Sequence, residues 1–78
     1  DVRDPEKVTA MIDAVESHFG HIDVLVNNAA GNFISPTERL SYRAVDAVLG
    51  IVLHGTMYCT LELGKRWIEK QHKGVVLN

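Results

Sequence analysis

The sequence predicts an α/β protein in which helices cover a doubly wound parallel sheet of the Rossmann type. Two short apolar runs, 22–26 and 75–77, are predicted to be strands. Their nearly unbroken apolar character is typical of parallel strands covered on both faces. A long helical pattern between about Ser41 and Gln71 supplies the crossover that a parallel pair requires. An amphipathic helix precedes the first strand and completes the alternation.

The first helix is expected to be capped by Asp4, to carry Pro5 in its first turn, and to end at Gly20. The loop 28–36 follows the first strand. Ser35-Pro36-Thr37-Glu38 has the form of a capping box and predicts a short helical turn. The apolar face of the first helix consists of Val8, Met11, Ile12, Val15 and Phe19.

Within the long helical pattern, Gly50 and Gly55 are expected to bend or divide the segment. Cys59 is expected to be a small buried residue, since a single cysteine forms no internal disulfide. The charged residues near the end of the pattern are expected to form a solvated face: Lys65, Arg66, Glu69, Lys70 and Lys73.

Composition excludes several function classes. The 78 residues are 46% hydrophobic and 23% charged with a net charge of −2, as in an ordinary globular protein. The sequence has no stripe of basic residues, so nucleic acid is not expected as a partner. No apolar run approaches the length of a membrane span, so no membrane is expected either. No metal is expected, because these histidines lack ligand spacing with the cysteine or with one another: His18, His21, His54 and His72.

The chain opens directly on a helix-start signal, without an initiator Met, and closes on an apolar strand. We therefore expect residues 1–78 to be the central fragment of a single NAD(P)-binding domain. Alone, such a fragment would expose both faces of an unfinished sheet. Poor solubility or a molten state is the expected result of expressing it in isolation.

The first strand gives way abruptly to small residues and amides, in the run Asn27-Asn28-Ala29-Ala30-Gly31-Asn32-Phe33. Small residues let a flat ligand approach the backbone closely, while the amides supply donors and acceptors. In doubly wound sheets, ligands bind beyond the carboxyl ends of the strands. Asn78 lies at such an end, and so does Asp1-Val2 if it finishes an earlier strand. A plain turn is the alternative, but three converging strand ends favour a ligand site.

These residues resemble the short-chain dehydrogenase/reductase family. Asn27-Asn28-Ala29-Ala30 is similar to the Asn-Asn-Ala-Gly motif that follows the family's fourth strand, with Ala30 at the Gly position. Three stretches, 27–41, 1–4 and 52–56, resemble the subgroup of NADPH-dependent 2,4-dienoyl-CoA reductases. The resemblance covers essentially the whole chain.

The resemblance implies NADPH as the cofactor, without flavin or metal. It implies that Asp1 accepts a hydrogen bond from the adenine amino group and that the backbone of Val2 touches the adenine. It also implies that Asn27, Asn28 and Ala29 lie along the adenosine ribose. The choice of NADP over NAD stays open, because it depends on a strand end outside this chain.

For an acyl-CoA substrate the resemblance implies four contacts. Asn32 is the catalytic residue and hydrogen-bonds the thioester oxygen, while Phe33 packs against the acyl-CoA. Arg3 contacts the coenzyme A part, where a guanidinium suits phosphate, and a surface Arg is the alternative. Ser41 matches a further substrate contact, with a helix N-cap as the alternative.

Val52 stands where most family members carry a catalytic Asn, a departure that agrees with the dienoyl-CoA subgroup. The family's Gly-rich loop would precede this chain and its Tyr-x-x-x-Lys pair would follow it, so the chain alone is not a competent enzyme. The resemblance thus implies that the full-length protein reduces a 2,4-dienoyl-CoA to an enoyl-CoA in the degradation of unsaturated fatty acids.

Two alternatives remain open for the function: another short-chain oxidoreductase, such as a 3-oxoacyl carrier-protein reductase, and a noncatalytic fold fragment or oligomerisation module. A homotetramer is expected for the full-length protein. The expected location is the bacterial cytoplasm, with the mitochondrial matrix as the alternative.

Overall fold

The computed structural model describes all 78 residues as helices around a two-stranded sheet. Its elements in chain order are α1 (Pro5–Phe19), β1 (Val24–Val26), a 3₁₀ turn (Thr37–Arg39), α2 (Tyr42–Leu49), a π-helical stretch (Gly50–Gly55, the π segment), α3 (Thr56–Lys70) and β2 (Val75–Leu77). The two strands pair in parallel, with Val24 opposite Val75 and Val26 opposite Leu77. The predicted α/β class and its helical crossover between parallel strands are confirmed.

The ends of α1 are those expected from the sequence. The Asp4 carboxylate accepts the backbone N–H of Glu6 at 3.0 Å. Gly20 ends the helix with φ of +90°, a backbone conformation that favours glycine. The first strand, in contrast, begins at Val24 rather than at Ile22. The Ile22 carbonyl accepts the indole N–H of Trp67 at 2.7 Å, in place of a strand N–H.

The predicted capping box at Ser35–Glu38 is wrong, although the short helical turn is present. No side chain caps the turn Thr37–Arg39. The Ser35 hydroxyl donates instead to the neighbouring Pro36 carbonyl at 3.1 Å. Pro36 itself occupies the capping position, and it has no side-chain oxygen to offer the helix.

The core is formed between α1 and α3. Val8 and Ile12 of α1 pack with Cys59 and Leu63 of α3, and all four are buried. Cys59 is therefore the small buried residue that the sequence predicted. On the same face, Leu25 of β1 packs against this core.

The sheet is not covered on both faces, contrary to the sequence prediction. Val24 and Val26 flank Leu25 and are each 56% exposed. Because side chains alternate along a strand, one face of β1 lies on the core and the other is open. All of β2 is exposed as well. Two helices supply only one covering layer for two strands.

The N-terminal residues form a turn. The Asp4 N–H donates to the Asp1 carbonyl at 3.2 Å. Two strand ends meet within this chain, and a third that ends before Asp1 stays a prediction. Val2 still packs against the core, and an added Cβ on Gly55 would lie 2.5 Å from a Val2 methyl. The N-terminal turn is thereby seated against the π segment.

The expected solvated face at the end of α3 is wrong for Arg66. Its side chain is only 18% exposed and reaches Asp13 at 2.7 Å, Glu16 at 2.6 Å and Glu62 at 2.9 Å. Lys70 also pairs with Glu16. We call this group the helix clasp, because it joins α1 to α3: Asp13, Glu16, Glu62, Arg66 and Lys70.

The clasp shifts the titration of its members. Hydrogen bonds from Lys70 and Arg66 lower the pKa of Glu16. A hydrogen bond from Arg66 lowers the pKa of Glu62. The pKa of Arg66 is raised in turn, first by its hydrogen bond to Glu16. The charged forms of both partners are therefore favoured in the folded chain.

The helical run Tyr42–Lys70 has 29 residues, and its most apolar stretch has a mean hydropathy of 1.5. By length and composition it could cross a membrane, so the expectation that no segment approaches a span is wrong on these criteria. Core helices of globular proteins satisfy the same criteria, and Cys59 and Leu63 of this helix lie in the core.

Candidate functional site

A crevice of about 140 Å³ lies at the carboxyl end of β1, between that strand and the start of α3. Four of the five predicted cofactor-binding residues line it: Val2, Asn27, Asn28 and Ala29. The opposite wall consists of residues that sequence reasoning did not assign: Ile51, Gly55, Thr56 and Cys59. No charged side chain contributes to the lining. The crevice is thus a mostly apolar slot with amides on one side.

Asn27 is fixed at the centre of this end of the sheet. Its Nδ2 donates to Thr60 Oγ1 at 3.2 Å and to Asn78 Oδ1 at 2.9 Å, while its N–H donates to the Leu77 carbonyl at 2.8 Å. Through its side-chain amide and its backbone N–H, Asn27 therefore joins β1, β2 and α3. The Oδ1 atom is left to accept from a ligand. Thr60 was missed because a threonine within a helical pattern gives no local signal of such a contact.

Asp1 and Arg3 contact one another. Arg3 Nη2 lies 2.6 Å from Asp1 Oδ2, and the Arg3 backbone N–H donates to Asp1 Oδ1 at 2.9 Å. Both side chains are half exposed. The surface ion pair that was the alternative for Arg3 is therefore present. The Nη1 of Arg3 remains free to donate to a phosphate, and the Asp1 carboxylate can still accept from an adenine amino group. Both contacts remain predictions.

A second depression, which we call the groove, holds the predicted catalytic residue at its rim. It measures about 150 Å³ and is lined by Asn32, Phe33, Leu40, Val45, Val48 and Leu49. Asn32 Oδ1 accepts the N–H of Phe33 at 2.8 Å. Because an N–H donor fixes the oxygen of this amide, its Nδ2 points away and has no partner within the chain. An unused amide donor thus borders an apolar groove.

Ser41 is occupied as a helix cap. Its Oγ accepts the N–H of Ala44 at 3.1 Å at the start of α2. The capping alternative is therefore confirmed, while the substrate contact remains a prediction. Ser41 itself does not line the groove, although its neighbour Leu40 does.

The π segment lies beside the crevice, which its residues Ile51 and Gly55 line. Gly50 and Gly55 stand at its two ends and are buried, so the expected division of the long helix occurs between them. The Thr56 hydroxyl donates to the Val52 carbonyl at 2.7 Å. Stretches of π-helix are rare and are often found at functional sites. The glycines indicated an irregularity, but nothing in the sequence indicated its type.

Cys59 on the crevice wall is not a reactive thiol. Burial raises the pKa of Cys59 above its ordinary value, so the thiol is protonated at neutral pH. No group of three or more His, Cys, Asp or Glu side chains is arranged to hold a metal ion. Two histidines lie at the amino end of the strands. There, His72 Nε2 is 2.6 Å from Asp23 Oδ1, and the ring of His21 stacks on that of His72.

The family model described as short chain dehydrogenase matches residues 1–78, the whole chain. Two curated relatives are both named as probable 2,4-dienoyl-CoA reductases. A probable 2,4-dienoyl-CoA reductase of Bacillus subtilis, named as (2E)-enoyl-CoA-producing, is 44% identical over all of this chain and 31% of its own length. A probable 2,4-dienoyl-CoA reductase of Caenorhabditis elegans, named as (3E)-enoyl-CoA-producing, is 53% identical over 91% of this chain and 23% of its own length.

Solved structures share the fold. A short chain dehydrogenase from Bacillus anthracis is 50% identical with a TM-score of 0.94, over 97% of this chain and 32% of that one. ElxO with NADP bound is 26% identical with a TM-score of 0.87, over 99% of this chain and 32% of that one. The chain spans between about a quarter and a third of the length of these proteins.

Proposed function

Because the chain belongs to the short-chain dehydrogenase family, we propose that it forms the central part of an NADPH-dependent 2,4-dienoyl-CoA reductase. The names of the relatives from Bacillus subtilis and Caenorhabditis elegans support this activity. Within the chain, one observation carries the proposal. Asn32 presents an unused amide donor at the rim of an apolar groove, next to the crevice at the same end of the molecule.

The crevice fits part of a nicotinamide dinucleotide. Its small residues allow a flat group to lie against the backbone, and Asn27 and Asn28 offer amide groups for ribose hydroxyls. At about 140 Å³ it is smaller than a typical ligand pocket, as expected if it holds only part of the dinucleotide. We assign it the adenosine part, with Asp1 and Val2 beside the adenine. The bound NADP of ElxO supports the same class of cofactor.

When bound, NADPH supplies a hydride for the terminal carbon of the conjugated dienoyl system. Reduction there drives negative charge onto the thioester oxygen. The Asn32 Nδ2 donates to that oxygen and stabilises the developing charge, and as a neutral amide it delivers no proton of its own. Protonation of the carbon next to the carbonyl leaves a (3E)-enoyl product, and the proton donor lies outside this chain.

The rest of the substrate is assigned to neighbouring residues. Phe33 and the apolar groove accommodate hydrocarbon, and Arg3 offers its free guanidinium donors to a phosphate of coenzyme A. Ser41 keeps a hydroxyl proton to donate while its oxygen caps α2.

We also propose that the full-length protein is a cytoplasmic homotetramer with no membrane partner. Support for assembly comes from apolar residues that stay exposed along one side of α3, namely Met57, Leu61 and Ile68. Residues spaced by four and seven positions lie on one helical face. Sedimentation of the full-length protein tests this assignment, and a monomer would contradict it.

The function is tested by following NADPH consumption by the full-length protein with 2,4-hexadienoyl-CoA and, separately, with a 3-oxoacyl thioester. Reduction of the dienoyl-CoA is expected, and analysis of the product establishes the position of the remaining double bond. Reduction of the 3-oxoacyl thioester alone would assign the protein to carbonyl reduction instead. Turnover of neither substrate would favour a noncatalytic relative.

A further inference from the structure

The crevice and the groove are neighbours along the chain. Ala29 lines the crevice and Asn32 lines the groove, so Gly31 lies between the two depressions in sequence. Ile51 lines the crevice as well, and its Cδ1 is 3.0 Å from the position that a Cβ on Gly31 would occupy. The contact of Ile51 with Gly31 therefore connects the lining of the crevice to the residue next to Asn32.

The backbone that carries Ile51 is held from both ends. Gly50 abuts the stem of Arg3, where an added Cβ would lie 3.1 Å from the Arg3 Cδ. Gly55 abuts Val2 in the same way. β-branching restricts the χ1 angle of Ile51, while its terminal Cδ1, the atom nearest Gly31, can still change rotamer. A group that enters the crevice contacts Ile51 directly.

We propose that Ile51 is a positioning residue that couples occupation of the crevice to the placement of the Asn32 amide. A nucleotide packed against Ile51 restricts its side chain, and the restricted side chain holds Gly31 and therefore the adjoining Asn32 in place. The identity of the two ligands rests on the function proposed above. By linkage, an acyl-CoA at Asn32 must tighten nucleotide binding by the same factor.

The first test measures this coupling in the full-length protein. The dissociation constant of NADP⁺ is determined with and without hexanoyl-CoA, in the wild type and in Ile51→Ala. The variant is expected to lose about two- to thirtyfold of the mutual tightening. Ile34→Ala is the matched control, because it removes the same atoms from a fully exposed side chain in the loop that carries Asn32. Wild-type coupling in Ile51→Ala would overturn the proposal.

The second test combines rescue with a comparison of the two KM values, because a purely structural defect would change both KM values alike. Gly31→Ala pushes against Ile51 and is expected to raise the KM for the dienoyl-CoA more than the KM for NADPH. Ile51→Val lacks the Cδ1 atom, so the double variant Gly31→Ala/Ile51→Val is expected to recover the wild-type KM. Equal increases in both KM values, or no recovery in the double variant, would overturn the proposal.

A third measurement separates this proposal from the assigned reaction. Amide hydrogen exchange of residues 31–34 is followed with and without NADP⁺. Protection on nucleotide binding is expected in the wild type and in Ile34→Ala, and its loss is expected in Ile51→Ala. If the wild type reduces no dienoyl-CoA but shows this pattern, the reaction fails and the coupling stands. If the protection survives in Ile51→Ala, the coupling fails whatever the substrate.

Discussion

The contact between α1 and α3 and the carboxyl end of the strands are built in opposite ways. Between the helices, four buried side chains pack together and the clasp around Arg66 pairs every charge that it contains. At the strand end, Asn32 and Arg3 keep donors without partners, and backbone contacts are made through glycine. Between the helices, polar groups have partners and stabilise the fold. At the strand end, donors without partners remain available to bind ligands.

The two regions differ equally in what they tolerate. A core position responds to lost volume, because the surrounding side chains relax only partly into the gap. A ligand-facing position responds in the rate of reaction while stability changes little. Substitutions that change only stability or only the reaction rate would sharpen the comparison. Substitutions that change both together would break it.

The largest expected effect on stability belongs to Leu63, which is 2% exposed at the centre of the helix contact. In the full-length protein, Leu63→Ala is expected to lower the free energy of unfolding by about 2–5 kcal/mol through the cavity that it leaves. Leu63→Met conserves volume and is expected to cost less than about 1.5 kcal/mol. Urea unfolding measures both. Equal losses in the two variants would show that volume is not the cause.

Asn32 is the counterpart at the ligand end. Asn32→Ala in the full-length protein is expected to raise the barrier for dienoyl-CoA reduction by about 2.7–4 kcal/mol, because the thioester oxygen would lose the donor that we propose for it. Stability should stay near that of the wild type, since Asn32 bonds only the N–H of its neighbour Phe33. Steady-state kinetics and urea unfolding are compared on the same samples. A large loss of stability with an unchanged kcat would break the distinction between the two regions.

Arg66 tests whether the clasp stabilises the helix contact beyond the apolar core. Arg66→Met keeps most of the side-chain stem but leaves Glu16 and Glu62 without their shared partner. The expected loss at neutral pH is about 2 kcal/mol, within the range for hydrogen bonds to charged groups. Urea unfolding at low and high salt measures it, and screening should reduce the loss. A loss that does not depend on salt would point to lost packing instead.

The same variant carries a pH signature. The pKa values of Glu16 and Glu62 are lowered in the folded chain, so the unfolded chain binds more protons between the lowered and the ordinary glutamate values. The clasp contribution is therefore complete above the ordinary value and disappears as the pH falls through the lowered ones. The difference in stability between wild type and Arg66→Met is expected to shrink in acid. A difference that grows in acid would contradict the assigned cause.

What the sequence predicted follows the same division. The bounds of α1 were predictable, because Asp4 and Gly20 act on their own backbone neighbours. The clasp was not, since Arg66 meets Glu16 across fifty positions of the chain. At the site, Asn27 and Val2 were found through the position of strand ends and through family resemblance. Ile51 and Thr60 were missed because helical apolar and hydroxyl residues look alike in sequence whether they face a core or a ligand.

The smallest expected effect joins the two regions in one residue. Ser41 caps α2 through the N–H of Ala44, and we propose that its hydroxyl also reaches the acyl-CoA. Ser41→Ala removes both roles and is expected to cost about 1 kcal/mol of stability together with a rise in the KM for dienoyl-CoA. Ser41→Asp keeps a capping oxygen but has no hydrogen-bond donor, so stability should return while the KM stays raised. If the KM also returns, the cap alone explains Ser41, and the ligand end begins only at the groove.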